Sequence, residues 1–262
     1  RQRGYDGAQW IYLSATVGNP QWLAKKLRAT LIEFEERPVP IERHVTFAAD
    51  GREKTEIENK LVRRAFDSKS SKGYRGQTII FTNSRRRCHE ISRQLEYSSA
   101  PYHAGLDYGR RKQVERQFAD QDLAAVVTTA ALAAGVDFPA SQVVFDSLAM
   151  GIEWLSVQEF EQMLGRAGRP DYHDRGKVYL LVEPDASYHG SMEATEDEIA
   201  FKLLKGEMEN VVAHYDEGQA VEETLANVTV GGEAAARLND RMLGEVPTKQ
   251  ALGRLIEYDC ID

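Results

Sequence analysis

The spacing of apolar residues changes period several times along the chain, and the changes mark out its elements. Ile57, Leu61, Val62, Ala65 and Phe66 recur at helical spacing and predict one amphipathic helix. Gln77 to Phe81 predicts a strand, after which Ser84 caps a helix whose Cys88, Ile91 and Leu95 face inward. Further strands are predicted at Ala100 to Tyr102, Ala124 to Thr128, Gln142 to Phe145 and Val178 to Val182, with helices between them. Strands without strict polar alternation, separated by helices, predict a parallel sheet covered on both faces. The segment from about 41 to 190 therefore reads as α/β.

The flanks follow other patterns. Gln9 to Leu13 reads as a strand running into Ser14-Ala15-Thr16, Asn19-Pro20 opens a helix through Arg28, and Leu31 to Phe34 reads as a second strand. Residue 1 is Arg rather than Met, so the chain reads as a piece of a longer protein. In Arg37-Pro38-Val39-Pro40 two prolines two apart favour an extended linker, which places a domain boundary near 37 to 42. After Thr195 the strand pattern stops, and short helices are predicted around 196–204, 220–226, 234–243 and 248–258.

Composition narrows the function classes. Cys88 and Cys260 lie far apart with no Cys or His at ligand spacing, so neither a zinc site nor a disulfide framework is expected, and a reducing cytoplasm fits. The apolar uncharged run Leu123 to Val136 is shorter than the roughly 20 residues of a membrane span, so no membrane segment is expected, nor a signal peptide. A net charge of -8 argues against a broad basic face for nucleic acid. Arginine nevertheless outnumbers lysine 22 to 11 and gathers at particular loops, which leaves room for local positive sites.

A parallel sheet binds ligands beyond the carboxyl ends of its strands, so the loops there are read together. Thr82, Asn83 and Ser84 stand at a helix N-terminus, where free N–H groups and the helix dipole favour an anion, with Arg85, Arg86 and Arg87 in the first turn. An ordinary serine cap with solvated arginines explains those residues equally well. His103 and Thr129, taken singly, read more simply as structural residues. The stretch QMLGRAGRP, Gln162 to Pro170, is more specific. Ser156 and Glu159 form a capping box that fixes the helix start, and Gly165 and Gly168 permit a sharp, closely packed exit. Arg166 and Arg169 would then be a rigid pair, suited to a multiply charged phosphate.

Ser14-Ala15-Thr16, the TNSRR loop, HAGL at 103–106, TTAALAAGVDFPA at 128–140 and QMLGRAGRP at 162–170 resemble, in order and spacing, motifs III to VI of superfamily 2 DExH helicases. The resemblance is closest to the Ski-like branch and, within it, to archaeal fork-repair DNA helicases, and it covers nearly the whole chain. It implies a RecA-like α/β second motor domain at 38–190, preceded at 1–37 by the end of a first RecA-like domain and followed at 191–262 by the start of a winged-helix domain. It also implies ATP and Mg²⁺ held mainly by the first domain of the same protein. Arg166 and Arg169 would be arginine fingers with Gln162 nearby, and Gly135 and Asp137 would line the nucleotide. Thr82, Asn83, Ser84, Arg85, His103, Gly105 and Thr129 would line a track for single-stranded or forked nucleic acid, DNA favoured over RNA, and Ser14 and Thr16 would couple the two. Between motifs V and VI the resemblance places a strand-separating hairpin at 147–155, with Met150 or Trp154 at its tip, although a plain packed hairpin fits the same residues. Ala130 and Ala131, where the relatives have Pro-Thr, and Asp137, where they have Asn, depart from the pattern.

No Gly-Lys-Thr/Ser phosphate loop occurs in the sequence, and no acidic box precedes Ser14. The chain alone is therefore expected not to hydrolyse ATP. The competing reading from another class is a non-catalytic nucleic-acid clamp on a helicase core, and an RNA helicase competes within the same class.

Overall fold

The computed structural model describes residues 10–14, 17–33, 37–129, 138–190, 192–206, 215–240, 242 and 244–261. The chain forms two compact units: Phe34–Glu207, and a second that joins Arg1–Glu33 to Met208–Asp262.

The larger unit is built on six strands: β1 (Ile41–Phe47), β2 (Thr78–Phe81), β3 (Ser99–Tyr102), β4 (Ala125–Thr128), β5 (Gln142–Phe145) and β8 (Gly176–Val182). They lie in the order β1-β8-β5-β2-β4-β3, and every neighbouring pair is parallel. A small antiparallel hairpin, β6 (Ala149–Met150) and β7 (Glu153–Trp154), stands apart from this sheet.

The apolar strand cores follow from burial on both faces. Along β2 and β5 the side chains alternate: Ile80 and Val144 join the layer of α2 (Gly51–Phe66) and α3 (Arg85–Gln94) through Leu61, Val62, Cys88 and Ile91. Phe81 and Phe145 turn to the opposite layer, where Phe145 meets Phe160 of α5 (Val157–Leu164) at 5.1 Å between ring centroids. On that side Phe138 bridges Tyr102 and Phe118, the latter on α4 (Tyr108–Ala119). The sequence pattern missed β1, an edge strand half-exposed and carrying Glu42, Arg43 and His44, because edge strands hold charges that erase the apolar signature.

Another helix, α6 (Glu196–Lys205), belongs to this unit and is fastened to the sheet by the buried Lys54. The Lys54 Nζ donates to the Asp146 carbonyl at 2.8 Å and to Glu196 Oε2 at 2.9 Å. Glu196 also accepts from the backbone N–H groups of Leu148 and Glu183, so its fully buried carboxylate is satisfied.

In the smaller unit lie α1 (Pro20–Leu27), α7 (Glu217–Gly231), α8 (Ala235–Asn239) and α9 (Thr248–Glu257). Asn239 ties three of these elements together: it accepts from Asn227 and donates to Thr224 and Thr248. The strands expected at 9–13 and 31–34 are not found among the described residues 10–13 and 31–33, which lie outside any ladder. An apolar run needs a partner edge to become a strand, and here no ladder includes either run.

Candidate nucleotide and nucleic-acid sites

The loop after β2 begins at Thr82, which is fully buried. Its hydroxyl donates to Asp146 Oδ2 at 2.7 Å, and its N–H donates to the Thr128 carbonyl at 2.9 Å. Asp146, immediately after β5, also takes a two-pronged contact from Arg87, at 3.3 Å from Nε and 3.0 Å from a terminal nitrogen. Of the three arginines in the first turn of α3, Arg87 thus folds back onto Asp146 and Arg86 pairs with Glu90 one turn on. Ser84 is the N-cap, accepting from the Arg87 N–H at 3.2 Å. Sequence reasoning did not single out Asp146, Arg87 or Lys54 as a group. The available signal was an aspartate placed directly after the apolar run of β5.

Arg85 is exposed and leans toward the loop after β3. A Cβ built on Gly105 would lie 3.0 Å from an Arg85 guanidinium nitrogen and 3.2 Å from His103 Nδ1, so the absent side chain at 105 leaves the gap where these two groups meet. His103 is buried, its Nε2 lies 3.0 Å from His89 Nε2, and its Nδ1 has no hydrogen-bond partner. Burial first, then the neighbouring His89 and Arg85, holds the His103 imidazole below its usual pKa, so the ring is neutral near pH 7. Because β2, β4 and β3 are adjacent, Asn83, Ser84, Arg85, His103, Gly105 and Thr129 gather at one end of the sheet. Thr82 shares that end, but its hydroxyl faces Asp146 and not the solvent.

The arginine stretch lies elsewhere. The Ser156–Glu159 capping box forms as expected and starts α5. The helix ends at Leu164, two residues before Arg166, and its exit returns to the other end of the sheet. There Ala167 bridges to Ala140, the Gly168 N–H donates to the Ala140 carbonyl at 2.9 Å, and Gly176 opens β8. Ala140 and Gly176 both mark strand beginnings, so the expected single cluster of loops at the carboxyl ends resolves into two groups at opposite ends. α5 runs antiparallel to the strands and carries the arginines away from the other loops.

Gly165 has ordinary helical geometry; the sharp exit is made by Gly168 alone, at φ 75°. A Cβ there would stand 2.8 Å from the backbone of Gly176 and 2.8 Å from Val39 of the Pro-rich segment. Beyond it, the Arg169 N–H donates to His173 Nδ1 at 3.3 Å. His173 is buried, which lowers its pKa to about 4 and keeps it an acceptor. Arg166 and Arg169 are half-buried on this fixed frame, and Gln162 is exposed one turn earlier. Gly135, Asp137 and Thr16 lie outside the described residues, and Ser14 is exposed.

The hairpin expected at 147–155 is present, with a corrected tip. Met150 pairs with Glu153, which leaves Gly151, at φ 74°, and Ile152 as the turn. Ile152 is 64% exposed, whereas Trp154 packs on Tyr188 with ring centroids 5.8 Å apart.

Comparison with known proteins follows the same outline. Residues 57–171 match the family described as the helicase conserved C-terminal domain. A probable ATP-dependent helicase of Methanocaldococcus jannaschii is 50% identical over 227 residues, covering 86% of this chain and 28% of that protein. The ATP-dependent DNA helicase Hel308 of Thermoplasma acidophilum is 30% identical over 259 residues, covering 84% of this chain and 36% of that protein. The solved C-terminal domain of the DEAD-box protein Dbp5 aligns at a TM-score of 0.51 and 18% identity, over 67% of this chain and 91% of that one, a likeness of fold. This chain thus spans about a third of the length of the curated relatives it matches. The RecA-like sheet and the sequence likeness agree, and the chain belongs to the superfamily 2 helicases as a Hel308-like sequence carrying the helicase conserved C-terminal domain.

Proposed function

We propose that this chain is the second motor domain of an ATP-dependent nucleic-acid helicase acting on DNA in the cytoplasm, in fork repair. The observation that carries the reading is the arginine exit. Gly168 wedges between Gly176 and Val39, and the Arg169 backbone is tied to a neutral His173, so two permanently charged side chains leave a frame that cannot drift. Such a pair fits the terminal phosphates of ATP, whose hydrolysis supplies the free energy of translocation. The pair's part is to meet charge that develops during phosphoryl transfer. Gln162, one turn before, would orient the attacking side; Gly135 and Asp137 would face the nucleotide; Mg²⁺ and the remaining phosphate contacts would come from a first RecA-like domain.

At the other end of the sheet, Asn83, Ser84, Arg85, His103, Gly105 and Thr129 would contact a nucleic-acid strand, mainly at phosphates. The unpartnered His103 Nδ1 beside Arg85, over the gap left by Gly105, supports this placement, since a buried polar atom without a partner suits a ligand oxygen. Thr82 would act indirectly, by fixing the loop through Asp146. Ser14 and Thr16 would link nucleotide state to strand grip, and residues 191–262 would lead into a winged-helix domain.

The test is ATP hydrolysis by the longer parent protein with and without single-stranded DNA or RNA, comparing wild type with Arg169→Ala. Stimulation by the strand and a loss of about 10³-fold or more in the variant are expected. Turnover indifferent to Arg169, or absent in wild type, would leave a nucleic-acid clamp as the better description. Stimulation by RNA alone would reassign the substrate.

A further inference from the structure

At the strand-beginning end of the sheet the larger unit encloses a groove of about 550 Å³. Its walls are the end of α2, the 68–76 connection, the start of β5 and the entry to β8. Four cationic side chains line it, Arg64, Lys69, Arg175 and Lys177, against a single carboxylate, Asp174. That carboxylate is already engaged: the Ser71 N–H and hydroxyl both donate to it and hold its pKa below the usual range. Arg175 pairs with Glu42 at 2.9 Å, while Arg64, Lys69 and Lys177 enter no salt bridge among the described residues.

A chain with a net charge of -8 has no shortage of carboxylates to offset these cations, yet the concavity gathers like charges around itself. Like charges facing one hollow repel, and an anion seated among them relieves the repulsion. Tyr74 and Tyr179 add two aromatic walls, and Gln142 lies at the strand entry. None of Gln162, Arg166 or Arg169 lines the groove, but His173 does, and it is the residue that accepts the Arg169 backbone N–H.

We propose that this groove binds a phosphate-bearing ligand, at a site separate from both the arginine pair and the loops after β2, β3 and β4. Arg64, Lys69 and Lys177 supply the charge, and Tyr74 or Tyr179 gives a face for a sugar or base. The ligand's phosphate can come from a free polyphosphate or nucleotide, or from the backbone of a bound strand. The inference rests on the groove alone and does not depend on the helicase reading.

Calorimetric titration of the 262-residue chain with inorganic tripolyphosphate tests it. The variants are Arg64→Glu with Lys177→Glu, both exposed positions, and Arg52→Ala, an exposed position at the start of α2 outside the groove, as a control. Wild type and Arg52→Ala should bind alike, and the double variant at least tenfold more weakly, with an unchanged circular dichroism spectrum. No binding by wild type, or equal binding by the double variant, overturns the site. A thymidine oligonucleotide that displaces tripolyphosphate from wild type assigns the phosphate to a strand; failure to displace it assigns a free polyphosphate. An empty groove would leave the arginine pair and its ATPase test untouched, so the two readings fail separately.

Discussion

Gly168 is the residue on which the arginine pair depends most. Its φ of 75° is strained for any L side chain, and a Cβ would meet backbone atoms of Gly176 that cannot rotate away. Gly168→Ala should therefore cost roughly 2–4 kcal/mol, summing left-handed strain and overpacking. Gly73→Ala, at φ 85° with nothing within 4 Å of the built Cβ, should cost only the strain, about 1–2 kcal/mol. Urea unfolding of the two variants side by side checks this, and equal losses would mean that the wedge is not tight. Glu58 makes a second residue-scale case. It is fully buried on α2, neither carboxylate oxygen has a partner, and burial, reinforced by nearby Asp146, raises its pKa well above the carboxylate range. A raised folded pKa means that stability is intact below the unfolded value of about 4.3 and declines as pH rises toward the folded one. Within that window the slope approaches about 1.4 kcal/mol per pH unit. Glu58→Gln cannot ionise, so its unfolding free energy should gain on wild type as pH rises above the unfolded value of about 4.3. Parallel pH profiles for the two proteins would mean that Glu58 titrates normally.

At the scale of elements, the β6–β7 hairpin separates position from packing. Trp154 and Leu155 hold its base, while Ile152 stands out from the tip with no packing role. Ile152→Asp should leave the unfolding midpoint within about 0.5 kcal/mol of wild type, as exposed substitutions usually do. If the hairpin parts the duplex, the same change in the longer parent should reduce unwinding of a forked DNA severalfold at unchanged strand-stimulated ATPase. Unwinding that survives both Ile152→Asp and a shortened loop would make the hairpin a packed ornament. The hairpin also shows what the sequence could convey. Two apolar arms around Met-Gly indicate a turn, but tip identity depends on register, and pairing of Met150 with Glu153 moves the tip to Gly151-Ile152. β2, β4, β5 and the Ser156–Glu159 cap were legible because burial on both faces and capping leave local signatures. β1 was not, since an edge strand's pairing to β8 is a long-range fact. Neither was the split of the candidate site into two ends: it follows from α5 running back along the sheet, which no local pattern encodes.

For the molecule as a whole, the two groups of candidate residues stand at opposite ends of the sheet. One end offers Arg85 and the unpartnered His103 Nδ1, the other a braced arginine pair. In the proposed motor both ends would be engaged at once, and the arginine end alone would not complete an ATP site. The sequence holds no glycine-rich Gly-Lys-Thr/Ser loop to cradle phosphates. Without that cradle and its Mg²⁺, positioning and charge neutralisation, which carry nearly all of the acceleration in phosphoryl transfer, are largely missing. The chain alone should therefore turn over ATP no faster than buffer, in the presence or absence of single-stranded DNA. Phosphate release from highly purified chain, measured beside Arg169→Ala, decides the matter. A rate that copurifies with the chain and vanishes in the variant would show that these residues assemble an ATP site among themselves. A rate present in neither protein, with strand-stimulated and Arg169-dependent turnover in the longer parent, is what a domain that completes its partner's site should give.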